Sequence, residues 1–177
     1  MAKIKKIELS QEELQKLWEY TPDTGVFRWN TKVGTRGIVG SVAGSFSKST
    51  GYCVIQYNKQ IYKAHRLAWV YVYGEIPDGL FVDHKNMDKS NNRIDNLRLC
   101  TKAENHNNVG LRRDNVSGVK GVTWSNSHGK WCVHASVNCK RVHIGYFVNK
   151  QDAVEAHKLF CKQHHGEFYR DATKEIL

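Results

Sequence analysis

The sequence predicts an α+β fold with two domains. This prediction rests on the order of strands and helices in two segments of the chain. Over residues 82–104 a short apolar strand, a polar loop, a second short strand and a helix start follow one another, which makes a ββα unit. Between residues 119 and 147 three short alternating strands precede a helix that Asn149 opens as N-cap. We therefore predict an N-terminal domain at 1–110, a basic linker at 111–117 and a C-terminal domain at 118–177.

Local patterns predict the elements before residue 80. They are a helix opened by the capping box Ser10 to Glu13 and ending near Tyr20, a β-rich stretch over 26–62 with a hairpin turn at Asn58 and Lys59, and a helix over 63–73 that Gly74 ends. In the C-terminal helix, Ala153, Ala156 and Phe160 form the expected apolar stripe.

The charge balance favours a polyanionic partner. The 177 residues include 27 Lys and Arg against 17 Asp and Glu, a formal net charge of +10. Such a surplus suits nucleic acid or an acidic membrane surface. No apolar run approaches the roughly 18 residues that a membrane-spanning helix needs, and no amphipathic segment concentrates the basic charge. We therefore expect nucleic acid and no membrane partner.

Cysteine usage and the N-terminus indicate a cytoplasmic protein. The first residues are basic and lack an apolar stretch, so they do not form a secretory signal. The five cysteines are odd in number and never occur as a CxxC pair, which argues against a disulfide framework and against a Cys-rich zinc site. We expect buried or half-buried reduced thiols and no zinc.

One constellation has the residue types that phosphodiester hydrolysis needs. Asp83 and His84 end the first strand of the ββα unit, and Asn105 lies in the first turn of its helix, which can face back toward that strand end. A carboxylate and an amide oxygen suit a hard cation such as Mg²⁺, and a neutral imidazole is matched to removing a proton from water near pH 7. Asn107 and Asn108 are alternatives to Asn105.

These residues lie in a longer stretch that resembles a known family. The run VDHKNMDKSNNRIDNLRLCTKAENHNN at 82–108, with YKAHRLAW at 62–69 and YTPDTGVFRW at 20–29, resembles HNH endonucleases of the phage homing type. The resemblance implies a ββα-metal nuclease domain, with His84 as general base and Asp83 and Asn105 as ligands of one Mg²⁺ or Mn²⁺ ion. It also implies that Asn96 is a catalytic residue of a structural kind, which holds the metal-binding loop in place by hydrogen bonds.

Neighbouring polar residues have weaker assignments. His65 is either a buried, hydrogen-bonded helix histidine or, with Arg66, a support for DNA contact or catalysis. Asn91 and Asn92 are expected to be turn residues, since Asn tolerates left-handed backbone geometry.

The tail resembles a second family, the AP2 DNA-binding domain, through GVKGVTWSNSHGKW at 118–131 and VHASVNCKRVHIGYF at 133–147. That resemblance implies a three-stranded antiparallel sheet packed on one helix, with the sheet in the DNA major groove. Because side chains alternate between the two faces of a strand, the polar residues of the three strands are expected on the face that points away from the helix. The expected DNA-contacting residues are Lys120, Thr123, Lys130, His134, Ser136, Arg141 and His143.

Two functions follow as hypotheses. The first is a site-specific homing endonuclease that hydrolyses double-stranded DNA; the second is a non-catalytic DNA-binding regulator built on the basic tail. A single active site per chain favours a monomer that nicks one strand, and a dimer is the alternative needed for a coordinated double cut.

Overall fold

The computed structural model describes residues 7–34, 37–107, 111 and 114–169. A boundary after Cys100 divides the chain into two units, residues 1–100 and residues 101–177. Asn108 and parts of the predicted linker lie outside the described residues, as does the side chain of Asn107. None of the described helices has the length and apolar character needed to cross a lipid bilayer.

The first unit combines two helices with three small antiparallel sheets. In chain order its elements are α1 (Gln11–Leu17), β1 (Trp18–Thr21), β2 (Val26–Trp29), β3 (Ser45–Ser47), β4 (Tyr52–Tyr57), β5 (Gln60–Lys63), α2 (Ala64–Tyr73), β6 (Phe81–His84), a 3₁₀ turn (Ile94–Asn96) and β7 (Leu97–Cys100). The sheets pair β1 with β2, order β3-β4-β5, and pair β6 with β7.

Helix α1 begins as predicted and ends earlier. The capping box is present, because the Ser10 hydroxyl accepts from the Glu13 N–H at 3.2 Å and the Glu13 carboxylate accepts from the Ser10 N–H at 2.8 Å. The helix ends at Leu17 rather than near Tyr20. Trp18 and Tyr20 lie on the same face of strand β1 and are both buried. Residues two apart share a face in a strand but not in a helix, so burial of both aromatic side chains favours the strand from Trp18 onward.

Trp18 is fully buried and organises the core of this unit. Its ring lies 5.4 Å from that of Trp29 and contacts Phe27 and Tyr57 edge-on. Leu67 of α2 is also fully buried in this cluster. Each such large side chain contributes about 1.5–3 kcal/mol on burial, so the core fixes α2 against the N-terminal hairpin.

The middle of the unit follows the sequence signals closely. Asn58 and Lys59 have φ angles of 46° and 61°, as a two-residue primed turn between β4 and β5 requires. The chain passes from β5 directly into α2, which spans Ala64–Tyr73 and ends at Gly74 with φ of 84°. The predicted turn and helix are therefore confirmed.

The second unit contains a three-stranded antiparallel sheet and helices of unequal length. Its elements are α3 (Lys102–Asn107), β8 (Val122–Ser125), β9 (Lys130–Val137), β10 (Lys140–Phe147), α4 (Lys150–His165) and a 3₁₀ turn (Gly166–Phe168). The strand order is β10-β9-β8, and α4 contacts all three strands. The predicted strands and helix are present.

Details of α4 differ from the sequence prediction. Asn149 is the N-cap, but its side chain makes no capping bond to the backbone and instead lies 3.4 Å from the Asp152 carboxylate. The buried face consists of Ala153, Val154, His157 and Cys161, whereas Ala156 and Phe160 are half-buried. The predicted stripe is therefore confirmed at Ala153, and its other two members lie beside the buried face, which is centred on Val154, His157 and Cys161.

Candidate active site

Strands β6 and β7 form a hairpin that ends at Asp83 and His84. The register pairs Asp83 with Arg98 and His84 with Leu97. Beyond the strands, the Lys85 N–H donates to the Asn96 carbonyl at 2.8 Å, so the pairing continues into the loop. The hairpin thereby gives both candidate residues a fixed backbone.

The side chain of Asn96 links the two sides of the loop between β6 and β7. Its Oδ1 accepts from the Asn86 N–H at 3.1 Å, and its Nδ2 donates to the Asn91 carbonyl at 2.8 Å. Asn96 is 8% exposed and lies in the 3₁₀ turn before β7 rather than in the strand itself. Two bonds to main-chain groups make it a structural tie across the loop.

Arg98 holds the Asp83 carboxylate. Nε and Nη2 of Arg98 donate to Asp83 Oδ2 at 3.3 and 3.2 Å, and the two side chains are only 10% and 12% exposed. A carboxylate has about four lone-pair sites, so it can serve this guanidinium and a cation together. Arg98 lies opposite Asp83 in the register of the hairpin. The sequence analysis did not identify Arg98 as a site residue.

His84 lies in a buried aromatic pocket. It is 3% exposed, and its ring centroid lies 4.6 Å from that of His65 and 6.0 Å from that of Tyr52. Its Nε2 lies 3.4 Å from Asn92 Oδ1, and because an amide oxygen only accepts, this contact assigns the proton to Nε2. Nδ1 is then the basic nitrogen of the ring.

Burial keeps both imidazoles neutral. It is the largest influence on the pKa of His84 and lowers it, against the raising effects of the Asn92 contact and of Asp83. Burial and the neighbouring His84 lower the pKa of His65 well below its usual range. His65 is buried, as one of the two alternatives expects, and among the described residues its Nδ1 has no hydrogen-bond partner.

Of the two asparagines expected in turns, Asn92 has a further role in the pocket. Asn92 is buried, touches His84, and its carbonyl accepts from the Tyr20 hydroxyl at 2.7 Å. It is therefore part of the pocket and not merely a turn residue, whereas Asn91 makes the expected local turn bond to the Arg93 N–H at 3.2 Å. Arg66 is half-buried on α2, where burial lowers its pKa.

Asn105 belongs to the second unit. It lies in α3, its side chain is exposed, and its N–H donates to the Thr101 carbonyl at 3.0 Å. The capping box at the start of α3 is present, because Thr101 and Glu104 bond reciprocally at 2.7 and 3.3 Å. The helix start is confirmed, and the role of Asn105 as a metal ligand stays a prediction.

The sheet of the second unit has one face against α4 and one face outward. Trp131, Val133 and Ala135 pack toward the helix side. The register pairs the other residues across strands, Thr123 with Cys132, His134 with His143, and Ser136 with Arg141. The outward face thus holds six of the seven residues expected to contact DNA: Thr123, Lys130, His134, Ser136, Arg141 and His143.

Lys120 is the exception. It precedes β8 in a turn and is half-buried, and burial lowers the pKa of its amine while the Cys161 thiol of α4 opposes that shift. Because Gly121 has φ of 75° between Lys120 and the strand, the strand alternation does not extend to residue 120. Lys120 therefore lies toward the helix and not on the outward face.

The segment that contains the site is similar to known proteins. Residues 62–107 match the family model described as HNH endonuclease. Protein 3.8 of Escherichia phage T7 is 40% identical over 76 residues, which are 41% of this chain and 63% of that protein. YosQ, a protein of the SPbeta prophage of Bacillus subtilis that carries the name HNH homing endonuclease, is 40% identical over 55 residues, 31% of this chain and 32% of its own.

A solved structure of DNA binding and cleavage by the HNH homing endonuclease I-HmuI aligns over 84% of both chains, with 19% identity and a TM-score of 0.41. At that score the overlay transfers neither fold nor residue roles. This chain spans less than two thirds of the length of both sequence relatives, so whole-chain activity must be proposed from its own residues. Residues 62–107, which include Asp83, His84 and Asn96, match the HNH endonuclease model, and this match supports a nuclease hydrolase.

Proposed function

We propose that this chain is a homing-type DNA endonuclease that hydrolyses phosphodiester bonds of double-stranded DNA with one divalent cation. The observation that carries the proposal is that His84 and Asp83 lie next to each other at the end of one strand. His84 is buried and neutral, and Asp83 is held by Arg98. Both lie inside the segment that matches the HNH endonuclease model. A general base and an anchored carboxylate are the two groups that such hydrolysis needs first.

His84 is the general base in this proposal. Its lowered pKa keeps the ring uncharged at neutral pH, so that it can take a proton from a water molecule. The Asn92 contact on Nε2 orients the ring, and Nδ1 is the nitrogen proposed to accept that proton. Tyr52 and His65 flank the ring and limit the access of bulk water.

Asp83 and Asn105 are the proposed ligands of Mg²⁺ or Mn²⁺. Both side chains offer hard oxygen donors, which fit these cations. When bound, the cation neutralises charge that develops on the scissile phosphate and on the leaving oxygen. Arg98 fixes the Asp83 carboxylate, and Asn96 ties the loop that follows His84, so these residues position the two groups that act.

The second unit is the proposed DNA reader, of the AP2 type. Its outward face places Lys130 and Arg141 among Thr, Ser and His side chains, a composition suited to phosphates and base edges. The same face supports the competing function, a regulator that binds DNA without cutting it. With one His84 per chain, a monomer is expected to nick a single strand.

Nicking of supercoiled plasmid by the full chain tests the proposal and separates the two functions. We expect cutting with Mg²⁺ or Mn²⁺ that EDTA abolishes, and a loss of at least about 100-fold in His84→Ala, the usual contribution of a general base. His164→Ala, an exposed histidine on α4, is the matched control and should cut normally. DNA binding measured in EDTA should be equal in all three proteins.

The regulator would be the correct function if the wild-type chain bound DNA but cut none with any divalent ion. Wild-type cutting by His84→Ala with an unchanged circular dichroism spectrum would remove His84 from the catalytic role.

A further inference from the structure

A cysteine and two histidines meet on the outward face of the sheet in the second unit. One ligand atom from each of Cys132, His134 and His143 lies within 4.8 Å of the others. Cys132 Sγ is 3.5 Å from His134 Nδ1 and 3.6 Å from His143 Nδ1. Neither CxxC spacing nor any other feature used in the sequence analysis selects this group, because its members come from two strands.

The strand register brings the three residues together. Cys132 and His134 are two apart on β9 and therefore share a face, and His143 of β10 pairs directly with His134. A β-bulge between His143 and Gly145 shifts the register, so that Tyr146 comes opposite Cys132. Tyr146 lies on the same side, with its ring 4.8 Å from that of His143, and it closes the cluster on the β10 side.

The distances fit a tetrahedral metal centre. With Zn–S of about 2.3 Å, Zn–N of about 2.05 Å and a tetrahedral angle, the sulfur and a coordinating nitrogen are separated by about 3.6 Å. The observed separations of 3.5 and 3.6 Å match that edge for both histidines. The third distance joins the coordinating nitrogens of His134 and His143. A rotation of the exposed His143 ring can adjust it.

Hydrogen bonds hold this arrangement only weakly. The thiol is a weak donor to one ring nitrogen and its sulfur is a weak acceptor from the other, and both nitrogens face the same sulfur. Cys132 is 7% exposed, so the sulfur is also shielded from water. A cation between the three atoms satisfies all of them at once.

We propose that Cys132, His134 and His143 bind a borderline-soft divalent transition metal, with Zn²⁺ as the best fit, at a site built from residues of the second unit. One thiolate and two imidazoles are ligands that Zn²⁺ accepts and that Mg²⁺ does not favour. Three protein ligands leave a fourth position for water. Occupancy would engage His134 and His143, so these two residues would act on DNA only in the metal-free chain.

Cobalt titration of the full chain, with Mg²⁺ in excess to occupy hard-ligand sites, tests the inference. We expect one equivalent of Co²⁺ to give a thiolate-to-cobalt absorption band and the strong visible bands of a tetrahedral centre, and Zn²⁺ to displace both. Cys132→Ser should abolish the thiolate band. Cys139→Ser is the matched control, because Cys139 is an exposed cysteine in the turn between β9 and β10, and it should leave the spectrum unchanged.

His143→Asn keeps the test decisive if Cys132→Ser fails to fold. Loss of a direct ligand should weaken Co²⁺ binding by at least about ten-fold, since even outer contacts of metal ligands have effects of that size. Absence of the thiolate band in the wild type, an equal band in Cys132→Ser, or unchanged affinity in a folded His143→Asn would each overturn the site.

Discussion

Arg98 and Asp83 form an ion pair in which both side chains are about nine-tenths buried. Removing one member of such a pair leaves a charge without its partner in a poorly hydrated place. We expect Arg98→Met to lower the free energy of unfolding by about 3 kcal/mol and to reduce plasmid nicking. Urea denaturation and the nicking assay measure the two effects.

A double variant separates stability from catalysis at this pair. Arg98→Met with Asp83→Asn removes both charges and should regain most of the stability, because no uncompensated charge is left. Nicking should stay lost if the carboxylate holds the cation. Recovery of cutting in the double variant would show that Asp83 acts only through its pairing with Arg98.

His65 should make stability depend on pH. The pKa of its ring is lowered well below 6.5 in the folded chain, mainly by burial and then by His84, Lys63 and Arg66. The unfolded chain therefore binds a proton as pH falls through about 6.5 while the folded chain does not, and stability is lost below that pH and intact above it. Unfolding midpoints at pH 8 and pH 5.5 should differ less in His65→Gln than in the wild type.

An equal pH response in the two proteins would assign the dependence to other groups. His84 faces the same pocket, also has a lowered pKa, and is expected to account for the part that remains in His65→Gln.

The sequence identified residue types better than residue environments. Asp83 and His84 were selected because an acid and an imidazole at a strand end have evident chemistry. The sequence does not reveal Arg98, or the role of Asn92 beyond its turn, because their importance arises from strand pairing and from burial, which one sequence does not display. Lys120 was placed on the wrong face because a glycine with positive φ interrupts the alternation before β8.

The turn between β1 and β2 supports the loop after His84. Gly25 has φ of 72°, and a Cβ there would lie 2.5 Å from the backbone of both Asn92 and Arg93. The Pro22 carbonyl also accepts from the Ile94 N–H at 3.2 Å. The N-terminal hairpin therefore packs directly against main-chain atoms of the loop, and its turn leaves no room for a side chain.

Gly25→Ala should therefore destabilise the unit and displace the loop. A left-handed backbone costs a non-glycine residue about 1–2 kcal/mol, and the contact with Asn92 adds to that cost. Gly40→Ala is the matched control, because φ is 80° there and no atom lies within 4 Å of an added Cβ. The two melting temperatures and nicking rates measure the difference; equal losses in both variants would show that the contact at Gly25 has no effect.

Element positions were more predictable than element ends. The turn at Asn58 and Lys59 and the end of α2 at Gly74 follow from local backbone preferences, which act within a few residues. The end of α1 and the buried face of α4 depend on tertiary packing around Trp18 and His157. The bulge in β10 has the same origin, since nothing local in the sequence requires a register shift at Gly145.

At the scale of the whole molecule, a net charge of +10 should govern binding to the DNA partner that we propose. Phosphate contacts release counterions, so the logarithm of the binding constant should fall linearly with the logarithm of the salt concentration. If the outward face of the second unit makes such contacts, an exposed arginine on it contributes to the slope. Arg141→Gln should lower the magnitude of the slope by about 1, as removal of one phosphate contact does.

Lys162→Gln is the control for that measurement, because it removes the same charge from an exposed position on α4, the element on the opposite side of the sheet. A general effect of net charge would change the slope equally in both variants, whereas a docking face changes it only in Arg141→Gln. Fluorescence anisotropy with a labelled duplex, in EDTA and over a range of salt concentrations, gives both slopes. An unchanged slope in Arg141→Gln would remove this face from the DNA interface and leave the binding to other basic residues of the chain.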